Sequence, residues 1–165
     1  MSEVAGSGLW QKSLWESVLD SYSKPTVEQL SLAWQDQYGA NVTLMLWCVW
    51  LQRENICLSK DVLQDVVATI KEVEDATLWP LRRARAALYD LSVITRVQQQ
   101  LVKKQVLAAE LSIEKILVHK LQDVTQKYIE VMRDVEAPLQ LEDYLQSLAM
   151  PNAAMCAQEY LALAE

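Results

Sequence analysis

The stretch Val42-Thr43-Leu44-Met45-Leu46-Trp47-Cys48-Val49-Trp50-Leu51 constrains this chain more than any other. Gly39 suits the left-handed residue that closes one helix, and Asn41 suits the cap that opens the next. The run that follows is apolar on nearly every side. A helix without a polar face has to be covered all round, so one is predicted through the middle of the fold over about residues 42–53. The run is about 15 Å long as a helix, half of the ~30 Å needed to cross a bilayer. It reads as a core helix and not as a membrane anchor.

The rest of the chain supplies the cover. Of 165 residues, 52% are hydrophobic and 22% charged, a balance close to that of globular domains. Three glycines and four prolines are too few turn-formers for a many-stranded β fold. The expectation is all-α: a single domain over 1–165, long enough to bury about 70% of its unfolded surface. Within it we expect a helical bundle over 9–78 around the buried central helix, a long helical hairpin over 79–137 and short helices over 138–165. Residues 1–7 are small and polar and are expected to be loose.

Charge and cysteine usage bound the partners. A net charge of −7 and a pI near 4.8 leave little basic surface to neutralise phosphates, which argues against nucleic acid. Cys48, Cys57 and Cys156 form an odd set with no close pairing motif. The N-terminal residues lack the basic region and apolar run of an export signal. Reduced thiols in the cytoplasm are the simplest account.

Taken in order, apolar residues at Leu9, Trp10, Leu14, Val18, Leu19 and Tyr22 have helical spacing. Ser23-Lys24-Pro25 breaks that helix, and Pro25 suits the first turn of another that Gly39 closes. After the central helix, Ile56-Cys57-Leu58 is expected to tuck onto the core. Ser59 should cap a fourth helix with Asp61 in its first turn, and Thr77 the helix that begins near Pro80. From Pro80 to Ala137 there is neither glycine nor proline, yet one helix of that length would be about 85 Å. A break is expected near Val93-Ile94-Thr95 or in the polar run Gln98–Lys104. Beyond it, Ile113, Leu117, Leu121, Val124, Tyr128, Val131 and Val135 form a helix-pairing seam, folded back or shared with a partner. Pro138 ends it, and Leu141, Tyr144 and Leu145 suggest a short helix closed by Pro151, with a weaker helical signal after Asn152.

A resemblance runs over about residues 9–90. It is carried by Leu9-Trp10, Ser13-Leu14, Tyr22 and Pro25, by Gln35-Asp36 and the segment Tyr38–Leu51, and by Trp79-Pro80-Leu81-Arg82-Arg83-Ala84-Arg85. In these the chain resembles a family of small helical proteins of γ-proteobacteria that forms a conserved domain of unknown function. That family's Gly-x-Asp-Val-Asn pattern has a carboxylate where this chain has Asn41, and asparagine where it has Thr43. The resemblance implies an all-helical fold and no particular activity.

Chemistry in the sequence is sparse. His119, the only histidine, sits among Ile116, Leu117, Val118 and Leu121 with no ligand at metal spacing, so it reads as structural. Cys48 lies in the apolar helix, where a thiol behaves as a small hydrophobe and lacks a base. No cysteine or histidine pair has zinc spacing. Asp61 and Asp65 form an Asp-x3-Asp pair, which suits magnesium and diphosphate in isoprenoid synthases, but the second acidic motif is missing and acids at a helix start commonly complement its dipole. No catalytic set, metal site or cofactor is therefore expected. Arg82, Arg83 and Arg85 form the one concentrated basic patch, suited to a phosphate, a carboxylate or an acidic helix. The favoured reading is that Arg82 and Arg85 pair with Asp36 or other local carboxylates. If the chain has a polar ligand site, Asp36, Asn41, Arg82 and Arg85 are its candidates, for a small anionic or phosphorylated ligand. The six tryptophans, all before residue 80, should fill the core, with Trp15 or Trp79 the candidates for exposed anchors. The leading expectation is a non-enzymatic interaction or regulatory module that offers helical faces to a protein partner or to its own copy.

Overall fold

The computed structural model describes residues 10–129 and 140–165, and all regular structure among them is helical. The helices are α1 (Leu14–Tyr22), α2 (Pro25–Tyr38), α3 (Val42–Arg53), α4 (Lys60–Val73), α5 (Trp79–Ala87), α6 (Arg96–Ile129), α7 (Gln140–Ser147) and α8 (Ala153–Ala164). A π-helical segment, Glu74–Leu78, joins α4 to α5, and a 3-10 turn, Leu88–Asp90, follows α5. Leu9, Val131, Val135 and Pro138, which entered the sequence reading, lie outside the described residues, as does the N-terminus expected to be loose.

Local chemistry sets most boundaries. The first helix starts at Leu14, with residues 10–13 before it, because Ser13 and Glu16 form a capping box. The Glu16 amide donates to Ser13 Oγ at 3.3 Å, and the Ser13 amide donates to Glu16 Oε2 at 3.0 Å. Trp10, placed in the helix by its spacing, instead lies before it and meets Trp50 edge-on, ring centroids 5.0 Å apart. Pro25 occupies the first position of α2, and Gly39 closes it at φ +70°. Asn41 caps α3 by accepting from the Leu44 amide at 3.0 Å. Ser59 does the same for α4, accepting from the Val62 amide at 3.3 Å.

The expected fresh start near Thr77 does not occur. The chain passes from α4 into α5 through the π segment, so no free amides await a cap there, and the Thr77 hydroxyl donates back to the Val73 carbonyl at 2.6 Å. A proline inside a helix lacks the amide for the carbonyl four residues earlier, and its ring presses on that carbonyl. One widened turn before Pro80 relieves both conflicts. The break within the long C-terminal stretch falls at 91–95, through the β-branched cluster Val93-Ile94-Thr95. Gln98–Lys104 is helical. Thr95 opens α6 with a second capping box: its amide donates to Gln98 Oε1 at 2.9 Å while the Gln98 amide donates to Thr95 Oγ1 at 3.3 Å.

The chain divides into two compact units. The first joins residues up to Val67 with Val118–Glu165. Here α1, α2 and α7 pack against α3, and α8 packs against α2 and α7. The central helix is buried from Thr43 to Leu51, with Trp47 and Trp50 at 0% exposure. Their indole N–H groups are satisfied, Trp47 by Thr125 Oγ1 at 2.9 Å and Trp50 by the Lys12 carbonyl at 2.8 Å. Ile56, Cys57 and Leu58 are buried as expected. Gln140 holds that connection with both ends of its amide, donating to the Ile56 carbonyl at 2.7 Å and accepting from the Leu58 amide at 3.2 Å. The alanine-rich α8 is a full core element: Ala157, Tyr160 and Ala164 are buried, and the Tyr160 ring stacks on Trp34.

The second unit is Ala68–Leu117. It contains the end of α4, the π segment, α5 and the first part of α6. Its apolar core is small, with Ile70, Leu78 and Leu117 buried, and its contacts are ionic to a degree the first unit's are not.

Candidate functional site

Asp36 and Asn41 flank the turn at Gly39 in the first unit. Asp36 is exposed, near the end of α2. Asn41 is buried: its side-chain oxygen caps α3, and its backbone N–H donates to Tyr144 Oη at 2.8 Å. Asparagine does the capping there through its side-chain oxygen, so the turn needs no carboxylate at this position.

Arg82 and Arg85 belong to the second unit, three residues apart on α5, and both meet glutamates of that unit. Arg82 reaches Glu74 Oε1 at 3.2 Å from Nη1 and Glu114 Oε1 at 3.3 Å from Nη2. Its guanidinium also lies over the Trp79 ring, 5.2 Å from the centroid. Arg85 binds Glu110 through both oxygens, Nε to Oε1 at 2.8 Å and Nη2 to Oε2 at 3.2 Å. The carboxylate partners are Glu74, Glu110 and Glu114, and Asp36 is not among them. Arg83 is exposed.

Glu74 and Glu110 are buried, a setting in which a carboxylate has to be paired. Burial pushes the Glu114 carboxyl above its usual range, against the opposing pull of Arg82 and with help from the charges of Glu110 and Glu74. Arg85 is raised by its hydrogen bond to Glu110. Glu110 and Glu114 lie beyond the sequence's arginine cluster and are brought to it by tertiary structure. Their spacing on one face of α6 was the available signal, and it needed the position of α5 to be read.

One pocket of about 570 Å³ lies in the first unit, bordered by Lys12, Asp20, Lys24, Trp50, Arg53 and Glu54 among others. Arg53 was legible only as the polar end of the central helix. In the fold it holds the end of α8, donating to the Ala164 carbonyl and to Ser21 Oγ at 3.2 Å. Lys24 donates to the same carbonyl at 2.9 Å. Two cations at a helix C-terminus satisfy orphan carbonyls and oppose the negative end of its dipole. Lys12 is paired with Asp20. The pocket's cations are thus committed to structure.

The remaining sequence candidates have plain settings. His119 is exposed and lies face to face with Trp15, 6.4 Å between centroids. Burial pushes the Cys48 thiol far up, and Cys57 is raised for the same reason. Trp15 and Trp79 are half-buried. Asp61 and Asp65 are exposed on α4, and no cluster of three or more metal-ligating side chains occurs among the described residues.

Exposed large apolar side chains occur singly at Leu19, Leu32 and Met155 and around the turn at 89–93, and they recur along α6. Leu117 and Leu121 of the expected pairing seam are buried, and Ile113, Val124 and Tyr128 are half-buried, so that side is covered within the chain. The opposite side of the first half is bare: Val97 is 80% exposed, Leu101 61% and Leu111 58%. No helix among the described residues is long and apolar enough to cross a membrane.

These features define an all-α protein organised on a wrapped apolar helix, with an ionic unit beside it in sequence. The chain belongs to DUF2390, a family of proteins of unknown function, whose sequence profile matches residues 13–121. The match reaches past residue 90, where the resemblance read from sequence ended, and takes in most of α6. No curated protein and no solved structure matches the chain.

Proposed function

We infer that this protein is a non-enzymatic interaction module, cytoplasmic, that offers a helical face to another protein. The observation that carries this reading is the row of bare apolar side chains on the first half of α6. An exposed apolar stripe costs solvation free energy of about 25 cal/mol per Å² relative to a covered one, and such patches mark association surfaces. The polar chemistry supports the same reading by what it is used for. Glutamates occupy the two arginines, and helix ends occupy Asn41, Arg53 and Lys24.

Sedimentation of the purified protein, alone and with proteins captured on it, tests the reading. A complex or oligomer is expected that weakens when Leu101 or Leu111 is changed to aspartate. A strict monomer with no captured protein sensitive to those changes sinks it. The competing reading is an anionic ligand held by Arg82 and Arg85 in the second unit. It requires the arginines to exchange their glutamates for that ligand. Its signature is thermal stabilisation by pyrophosphate that disappears in Arg82→Ala, measured as the ligand-dependent shift within each variant.

A further inference from the structure

Resting on that interaction reading, we propose that Val97, Leu101, Ala108 and Leu111, with Lys104 between them, form a seam that docks an acidic amphipathic helix of a partner protein. The five positions step by four, three, four and three residues, the spacing at which one helix pairs with another. All five are exposed, while Glu110 and Leu117 on the far side of the helix are buried. Beside the seam lie the uncharged polar residues Gln98, Gln100, Gln105 and Ser112 and the exposed Leu107, and the next position along it is a second exposed cation, Lys115.

Lys104 decides what the seam accepts. Placed mid-seam, it becomes desolvated when a helix docks and then requires a facing carboxylate. A second copy of this chain supplies none from its own seam. The nearest acids on α6, Glu110 and Glu114, are already held by Arg85 and Arg82. A bilayer fits no better, since a cation central to the apolar stripe would face hydrocarbon instead of lying at its edge. A helix with leucines at the pairing positions and glutamate opposite Lys104 satisfies both the apolar row and the charge.

The test uses the whole protein and a labelled synthetic helix of about 20 residues. The helix carries leucines at the pairing positions and glutamates opposite Lys104, and a twin carries glutamines in their place. Fluorescence anisotropy is expected to show the glutamate peptide binding roughly fivefold tighter than its twin. Lys104→Glu should reverse that preference, and Leu101→Asp should weaken both peptides by at least about tenfold with the circular dichroism unchanged. Equal affinity for both peptides, unmoved by Lys104→Glu, overturns the acidic partner while leaving a helix-binding module. Failure of both peptides together with a dimer that Leu101→Asp dissolves gives the seam to a second copy, which also overturns it. Failure of both with flotation on phosphatidylserine vesicles, or with no association of any kind, overturns this proposal and the interaction reading together.

Discussion

Three helices end on a residue with positive φ, and the residue types differ: Gly39 after α2, Asn55 after α3 and Ala149 after α7. After α3 and α7 the bonding is the same. The Asn55 amide donates to Gln52 and Ile56 to Leu51, and the Ala149 amide donates to Gln146 and Met150 to Leu145. This is the Schellman pattern, which satisfies carbonyls that a helix end would otherwise leave open. A left-handed conformation costs a residue with Cβ about 1–2 kcal/mol, least for asparagine and nothing for glycine. Ala149→Gly should therefore stabilise by about 0.5–1 kcal/mol after the added unfolded-state entropy is allowed for. Gly39→Ala should destabilise by about 1 kcal/mol, wholly through the backbone, because a Cβ there would meet nothing within 4 Å. Urea midpoints at unchanged m-value decide both signs. Gly39 was readable in sequence because glycine has few other reasons to follow an amphipathic helix. Ala149 was not, since alanine prefers the helix that it ends.

At the scale of elements, α5 and α6 illustrate how ionic contacts replace an apolar core. Glu110 is buried and depends on Arg85, so Arg85→Ala should cost about 3 kcal/mol, the penalty of a carboxylate left unpaired in low dielectric. Denaturant melts monitored through Trp79 should show that loss in the second unit. Glu114 behaves in the opposite sense. Burial raises its carboxyl, so the folded protein binds that proton more tightly than the unfolded chain does. Below the ordinary range near 4.5 both states are protonated and no penalty exists. As pH climbs from there through the raised folded value, the penalty develops, and it stays constant above. Glu114→Gln keeps an oxygen for Arg82 and carries no charge. Its melting temperature relative to the natural protein should rise across that window and then level off, and a difference that shrinks with rising pH would contradict the sign. The arginines that anchor these contacts were visible as a cluster after Pro80. Their partners were not, because opposite charges 25 and 32 residues away meet only once the chain has turned at 91–95.

For the molecule as a whole, thiol reactivity reports the burial that underlies the fold. Only the thiolate attacks, and burial disfavours it. Cys156 on α8 is half-exposed, whereas Cys48 lies inside the central helix and Cys57 in the connection behind it. In the folded protein Cys156 should react with an aromatic disulfide reagent first and Cys48 last, with rates separated by at least roughly a hundredfold. Comparable rates for Cys48 and Cys156 would falsify the wrapped central helix.

The sequence by itself determined the helical class, the buried helix over 42–53 and its caps at Gly39 and Asn41, the proline start of α2 and the need for a break between Pro80 and Ala137, narrowed to two places. Each of these is local: spacing, capping chemistry and backbone freedom act within a few residues, so they survive without knowledge of neighbours. Tertiary structure alone decided that α8 is core, that Glu110 and Glu114 hold the two arginines, that Arg53 holds the end of α8, and which side of α6 is left bare. Alanine is small enough for a buried or an exposed helix face, and a charge does not encode its partner. Those outcomes depend on which surfaces the folded chain brings within a few ångströms, and no window of sequence contains them.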